Sequence, residues 1–295
     1  MSASSPPPAT EAIAAAFLEA CRDELSALKP GNVHIHAAGH DMDWQLFEAA
    51  AKAAEPFVAA PGLGVGERIR SAVAASMTTA GCNTNLGILL LCVPLAEAGL
   101  RLAASRTSAD AVRLRAALRG ALDDLNQADA VAVYEAIRLA NPGGLGRDEE
   151  ADVADAPSLG LVAAMRIAAG RDRIARAYTD GFADVFADHL PVWREFAREA
   201  GQGGRHLAVT SLHMSILARF PDSHIVRKHG AMVAERVRDM AAHTLAAGRP
   251  LVEATDMAKL FELDHALKSE RLNPGTTADF VVATLFADRL AAGRL

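Results

Sequence analysis

Aromatic side chains are scarce: two tryptophans, two tyrosines and ten phenylalanines make up 5% of 295 residues. That leaves little to stack on nucleobases, so a reader of single-stranded nucleic acid is excluded. An excess of positive charge is also missing. Thirty Lys and Arg face 36 Asp and Glu, for a formal net charge of −6. This balance does not fit a general grip on phosphate backbones, although a local cation cluster can still hold a small polyphosphate. Cysteine is rare, and Cys21, Cys82 and Cys92 show no CxxC spacing. An odd, sparse count without a secretory signal points to reduced thiols and a cytoplasmic location. No long apolar run exists. The stretch Leu86–Leu95 is broken by Pro94 and falls short of the ~20 residues that span a bilayer, so no membrane is expected as a partner.

Familiar site motifs are absent too. There is no GxxxxGK[ST], no GxSxG, no HExxH and no Cys/His finger spacing. Gly62, Gly64 and Gly66 form GxGxG rather than GxGxxG, and no strand pattern precedes them.

What is present in quantity is alanine, with 64 residues. Alanine is the best helix former and is poor in strands, which excludes a β-sandwich or barrel. Apolar periodicity predicts helices near 11–28, 43–59, 66–80, 84–99, 108–121, 128–140, 158–169, 171–188, 191–200, 204–220, 230–247, 251–272 and 276–293. Thr10, Asp43 and Ser158 read as helix starts, and Gly170, Gly201 and Gly248 as stops. The expectation is an all-α chain: a single compact bundle of about 12–14 helices over residues 11–295, preceded by a flexible Ser/Pro/Ala-rich tail over 1–10. The small side chains allow flat, closely packed faces, which favour a homodimer.

The polar residues concentrate at the helix breaks. Pro-Gly pairs stand at Lys29-Pro30-Gly31-Asn32, Asn141-Pro142-Gly143-Gly144 and Asn273-Pro274-Gly275-Thr276. Such breaks free backbone N–H groups and helix N-termini, which favour anions. The first leads into a stretch with His34, His36, His40, Asp41 and Asp43. Histidines and carboxylates suit a divalent metal, and carboxylates alone suit Mg²⁺ carried on phosphates. A second polar turn, Thr78 to Gly87, holds Asn83, Thr84 and Asn85, more than helix capping needs. Their amides and hydroxyl suit a nucleobase or ribose. A third segment, Asp222 to Gly230, contains Arg227 and Lys228, which suit phosphates. A fourth, Lys268 to Asp279, repeats the pattern of cations, a Pro-Gly break and a hydroxyl-rich helix start.

Taken in this order, the segments resemble the triphosphoribosyl-dephospho-CoA synthase family, from about Ala12 to Leu290. The likeness rests on Lys29-Pro30-Gly31 with Gly39-His40-Asp41-Met42-Asp43, Asn83-Thr84 with Gly87, Asp222-Ser223 with Arg227, and Asn273-Pro274-Gly275 with Ala278-Asp279. Members of that family are all-α and move the triphosphoribosyl group of ATP to 3′-dephospho-CoA, releasing adenine. Two departures bear on the acceptor. Asn85-Leu86 stands where the citrate lyase and malonate decarboxylase branch has His-Lys, and Asn32-Val33-His34 replaces an acidic position. The stretch Tyr134 to Gly146 resembles a branch found beside one-carbon cofactor genes in methylotrophs. The acceptor is therefore open between dephospho-CoA and a pterin- or furan-type precursor.

The resemblance implies an oxocarbenium-like transition state and three jobs. Asp41 and Asp43 are the candidates to stabilise the sugar cation or take the attacking hydroxyl's proton. His40 or Asn83 would assist the departing adenine. Lys29, Arg227 and Lys228 would hold the triphosphate with Mg²⁺, for which Asp41, Asp43 and Asp222 are the candidate ligands. Asn32, Thr84, Asn85 and Asn273 complete the candidate substrate contacts. On this assignment Asp41→Asn lowers turnover by at least ~100-fold. The competing non-enzyme reading is a helical metal- or ligand-binding protein using His34, His36 and His40.

Overall fold

The computed structural model describes residues 9–142, 153–245 and 256–293. It is all-α: fourteen α-helices and no named strand among the described residues. In chain order they are α1 (Ala9–Ser26), α2 (Trp44–Val58), α3 (Val65–Ala80), α4 (Leu86–Ala104), α5 (Ala111–Asp123), α6 (Gln127–Ala140) and α7 (Leu161–Ala168). There follow α8 (Arg173–Asp180), α9 (Leu190–Ala200), α10 (Arg205–Arg219), α11 (Ser223–His229), α12 (Ala231–Thr244), α13 (Met257–Ser269) and α14 (Gly275–Ala291).

The most apolar segments lie in the middle. Thirteen residues of α4 and thirteen of α14 are buried, and these two helices pack directly on each other. Helix α4 is long and apolar enough to cross a membrane, yet most of it lies inside the fold. Its hydropathy is that of a core helix. Around this pair, α1 packs on α2, α2 on α3, α3 on α6 and α4 on α5. A second, smaller apolar cluster forms where α10, α11, α12 and α13 meet, with Leu28, Met214, Ile225, Leu263 and Leu272.

Most boundaries follow local chemistry. Asp43, Asp110, Asp172 and Asp222 each cap a helix by accepting a backbone N–H. The expected cap at Thr10 is not used, because α1 already begins at Ala9. Of the expected tail, residues 1–8 lie outside the described residues, as does Gly248. The continuous helix expected over 171–188 is broken. Gly181 and Phe182 both take positive φ, of 65° and 55°, ending α8 and starting a π-helical segment Asp184–His189. Helix α11 has seven residues, too few to register as a periodic pattern.

Candidate active site

Two of the three Pro-Gly breaks meet back to back. Gly31 sits at φ 82°, and a Cβ there would lie 2.9 Å from Leu272 O and Pro274 Cδ. Only glycine allows this approach. The contact is tied by Asn32 Nδ2 donating to Asn273 Oδ1 at 2.8 Å and by Gly31 N donating to Asp264 at 2.8 Å. The remaining break reaches Asn141 and Pro142 at the cavity wall; Gly143 and Gly144 lie outside the described residues.

These turns open onto a cavity of about 1300 Å³. The part of its lining that comes from α11, the Asn273 turn and the start of α14 is polar. Met77, Leu90, Ile137 and Met165, from α3, α4, α6 and α7, add apolar surface. Helix α11 is fixed by Asp222, whose carboxylate has all its capacity in use. Oδ1 accepts from His224 N and Ile225 N at 2.9 and 3.1 Å. Oδ2 accepts from Thr277 N and Thr277 Oγ1 at 2.7 and 2.8 Å. One buried side chain thus sets the position of α11 relative to the first turn of α14. The other flank is held by Arg173, whose N–H donates to Ser223 Oγ at 3.1 Å. The Arg173 guanidinium stacks over Phe220 and Phe280 and pairs with Asp184.

Of the sequence candidates, Asn32, His40, Asn83, Thr84, Asn85, Arg227, Lys228 and Asn273 line this cavity. Arg227 and Lys228 stand with Arg271 in the polar part of the lining, and this mutual repulsion, after burial, lowers the Lys228 pKa. Arg227 also faces Asp172 at 3.6 Å. His224 joins them as a neutral imidazole. Burial first, then Arg227 and Lys228, push its pKa down to about 3. His224 Nε2 and Thr84 Oγ1 are buried and have no hydrogen-bond partner among the described residues. Buried orphan atoms facing a cavity fit a polar ligand that completes them. Asn83 caps α4 through Leu86 N, and Asn85 donates to Ser76 Oγ at 2.9 Å.

Lys29, Asp41, Asp43 and Asp222 do not line the cavity. Lys29 is fully buried behind it, paired with Glu24 and donating to Asn32 Oδ1 at 3.1 Å. Burial raises the Glu24 pKa and lowers that of Lys29, while their contact opposes both shifts. Asp41 points outward, with its side chain 82% exposed and paired to Arg271. Asp43 spends its carboxylate on Leu46 N as the cap of α2. The His34 and His36 rings stand 5.7 Å apart, but the three histidines differ in setting. His34 is buried beside Asp264 and Lys268, His36 is exposed, and His40 Nε2 contacts Gly31 O at 2.7 Å. Among the described residues, no three His, Cys, Asp or Glu side chains converge as metal ligands.

Sequence reasoning assigned no role to Asp279, Glu24, Asp172, His224 or Arg271, all of which line the cavity. Two left a readable signal. Glu24 continues the stripe Phe17, Cys21 on α1, which Leu28 extends just past the helix end, and Asp279 continues Ala283, Phe286, Leu290 on α14. A carboxylate within an apolar helical face asks for an explanation. Asp279 lies against α4, where a Cβ on Gly87 would fall 2.0 Å from its Oδ2. Burial, then the charges of Asp222, Glu24 and Asp172, hold its pKa well above the usual carboxylate range, with Arg227 opposing.

The profile of the ATP:dephospho-CoA triphosphoribosyl transferase family matches residues 10–294. A relative from Pseudomonas paraeruginosa, assigned as a 2-(5''-triphosphoribosyl)-3'-dephosphocoenzyme-A synthase, is 28% identical over 75% of this chain and 64% of its own. One from Pseudomonas aeruginosa with the same assignment is 29% identical over 73% of this chain and 62% of its own. The chain thus spans less than two thirds of the length of these curated relatives. A crystal structure from Archaeoglobus fulgidus, described as a candidate triphosphoribosyl-dephospho-CoA synthase, superposes with a TM-score of 0.62 at 26% identity. It covers 83% of this chain and 98% of that one.

Proposed function

Because this chain belongs to the ATP:dephospho-CoA triphosphoribosyl transferase family, we propose that its cavity transfers the triphosphoribosyl group of ATP to an alcohol acceptor and releases adenine. The observation that carries this reading is the composition of the polar lining. Three cations, Arg227, Lys228 and Arg271, share one cavity with a carboxyl group on α14 and the amides of Asn83 and Asn273. The cations match a triphosphate. The amides and the free Thr84 hydroxyl match the ribose and base. A volume of about 1300 Å³ has room for a nucleotide and a second substrate, given that pockets for one small molecule run to roughly 300–1,000 Å³. The apolar surface would receive the acceptor.

Dephospho-CoA is the acceptor we favour, because the relatives carry that assignment. The second reading, a pterin- or furan-type precursor, has its own observation. Asn85, at the departure from the His-Lys pattern, is uncharged and donates to Ser76. The triphosphate cations therefore come from α11 and Arg271 instead. Asp222, with its acceptor positions taken, is not available to a metal. Mg²⁺ would arrive as part of the MgATP substrate, held through the phosphates. ATP as substrate fits a cytoplasmic location.

Incubating the protein with MgATP and each acceptor, followed by mass spectrometry, separates the readings. Dephospho-CoA is expected to gain one triphosphoribosyl unit. Adenine release that requires only a pterin- or furan-type alcohol would replace the acceptor. Absence of adenine with every acceptor would overturn the transferase reading.

A further inference from the structure

Glycosyl transfer from ATP needs two proton movements. Adenine leaves poorly as an anion, so a ring nitrogen must receive a proton as the C1′–N9 bond breaks. The attacking alcohol must lose a proton as its oxygen bonds C1′. Few of the groups that line the cavity can do both. A guanidinium does not give up its proton, so Arg227 and Arg271 serve as cations only. His224 is neutral and carries no proton it could give as an acid near pH 7. Asp172 caps α8 through Ile174 N and Ala175 N, and Glu24 is committed to Lys29. Among the described residues that line the cavity, the carboxyl group left is Asp279. It lines the cavity and accepts no hydrogen bond from a described residue.

Its placement is built by the fold. Asp222 clamps Thr277, two residues earlier in the chain. On the opposite side the absence of a side chain at Gly87 leaves room for Oδ2. The groups that face it are Asp222, Arg227, Asp172, Glu24, Lys29 and Cys92. Three of these are acidic. Together with burial they favour the protonated carboxyl, as a proton donor requires.

Resting on the transferase reading above, we propose that Asp279 is the acid–base catalytic residue of the transfer, first protonating adenine and then deprotonating the acceptor. Asp279 starts as the carboxylic acid. The C1′–N9 electron pair leaves with adenine, and a ring nitrogen takes the Asp279 proton. The carboxylate then faces the sugar cation. The acceptor oxygen forms its bond to C1′, and its proton returns to Asp279. The residue ends as it began, and the net change is one hydroxyl proton carried to adenine.

The test compares wild type with Asp279→Asn on ATP and on N7-methyl-ATP, whose base is already cationic and leaves without a proton. Base release is read by chromatography, corrected for spontaneous loss. Wild type with ATP and dephospho-CoA should form adduct. Asp279→Asn should release adenine at least ~100-fold more slowly, yet release 7-methyladenine within about tenfold of wild type. The alkaline limb of the wild-type pH–rate profile should be missing from the variant. Equal adenine release by both proteins overturns the assignment. So does equal impairment on both nucleotides, the signature of a merely structural role. Melting curves identify a misfolded variant, in which case Asp279→Glu is read instead: it must retain the alkaline limb. If wild type forms no adduct and releases no adenine, the transferase reading falls, and the Asp279 assignment with it.

Discussion

Replacing Gly87 by alanine asks whether the Asp279 carboxyl must stand where it does. An added Cβ would lie 2.0 Å from Asp279 Oδ2, 2.5 Å from its Cγ and 2.9 Å from Ile174 Cδ1, against 3.4 Å or more for ordinary contact. The carboxyl group must therefore retreat by more than an ångström. Overpacking of this kind costs about 1–3 kcal/mol. Alanine in place of glycine in a helix returns about 1 kcal/mol. The net loss of about 0–2 kcal/mol leaves a folded protein. Displacing a reacting group by about 1 Å, in contrast, costs on the order of 100-fold in rate. Gly87→Ala should thus lose about two decades in adenine release while melting only a few degrees lower. Gly170, with open space around its Cβ position, supplies the control: Gly170→Ala should change neither. Wild-type turnover by a folded Gly87→Ala enzyme would refute the reasoning, because the carboxyl would then have moved without consequence.

Other consequences concern charge. Arg227→Ala and Lys228→Ala should each raise the KM for ATP by about 10–100-fold, from the ~1.5–3 kcal/mol of a charged hydrogen bond, with smaller effects on KM for the acceptor; steady-state kinetics checks this. Asp279→Asn should stabilise the fold. The raised native pKa means that the wild type binds this proton more tightly when folded. Its stability is then greatest below the unfolded value of roughly 3.9 and falls as pH rises through the native one. The melting gain of Asp279→Asn should be larger at pH 8 than at pH 5. Asp41 lies outside the cavity lining, and its exposed carboxylate pairs with Arg271. Turnover of Asp41→Asn should therefore drop less than about tenfold, below the range expected for a positioned acid or base.

The helical class was readable because alanine content and apolar periodicity state the same thing. The core was readable in Leu86–Leu95, whose hydropathy becomes α4. What local pattern could not reveal was which polar residues share a space. Gly31 and Asn273 stand far apart in the chain, and only tertiary packing lays one Pro-Gly turn on the other. The cluster around Asp41 and Asp43 looked chemical by density alone. A carboxylate that caps a helix and one that faces a ligand are the same letter in sequence. Lys29 illustrates a related point: it stands one residue before a cavity-lining turn, yet is fully buried and spends its ammonium on Glu24 and Asn32. Asp279 was legible twice, as the end of the Asn273-Pro274-Gly275…Ala278-Asp279 motif and as a charge on an apolar helical face, but neither signal told its role.

One cavity is expected to hold the triphosphate at α11 and the ribose beside α14. A crystal soaked with MgATP tests this directly. Phosphate density is expected against Arg227, Lys228 and Arg271, with ribose C1′ within contact distance of Asp279. Triphosphate bound elsewhere, or ribose turned away from Asp279 toward the apolar surface, would contradict it.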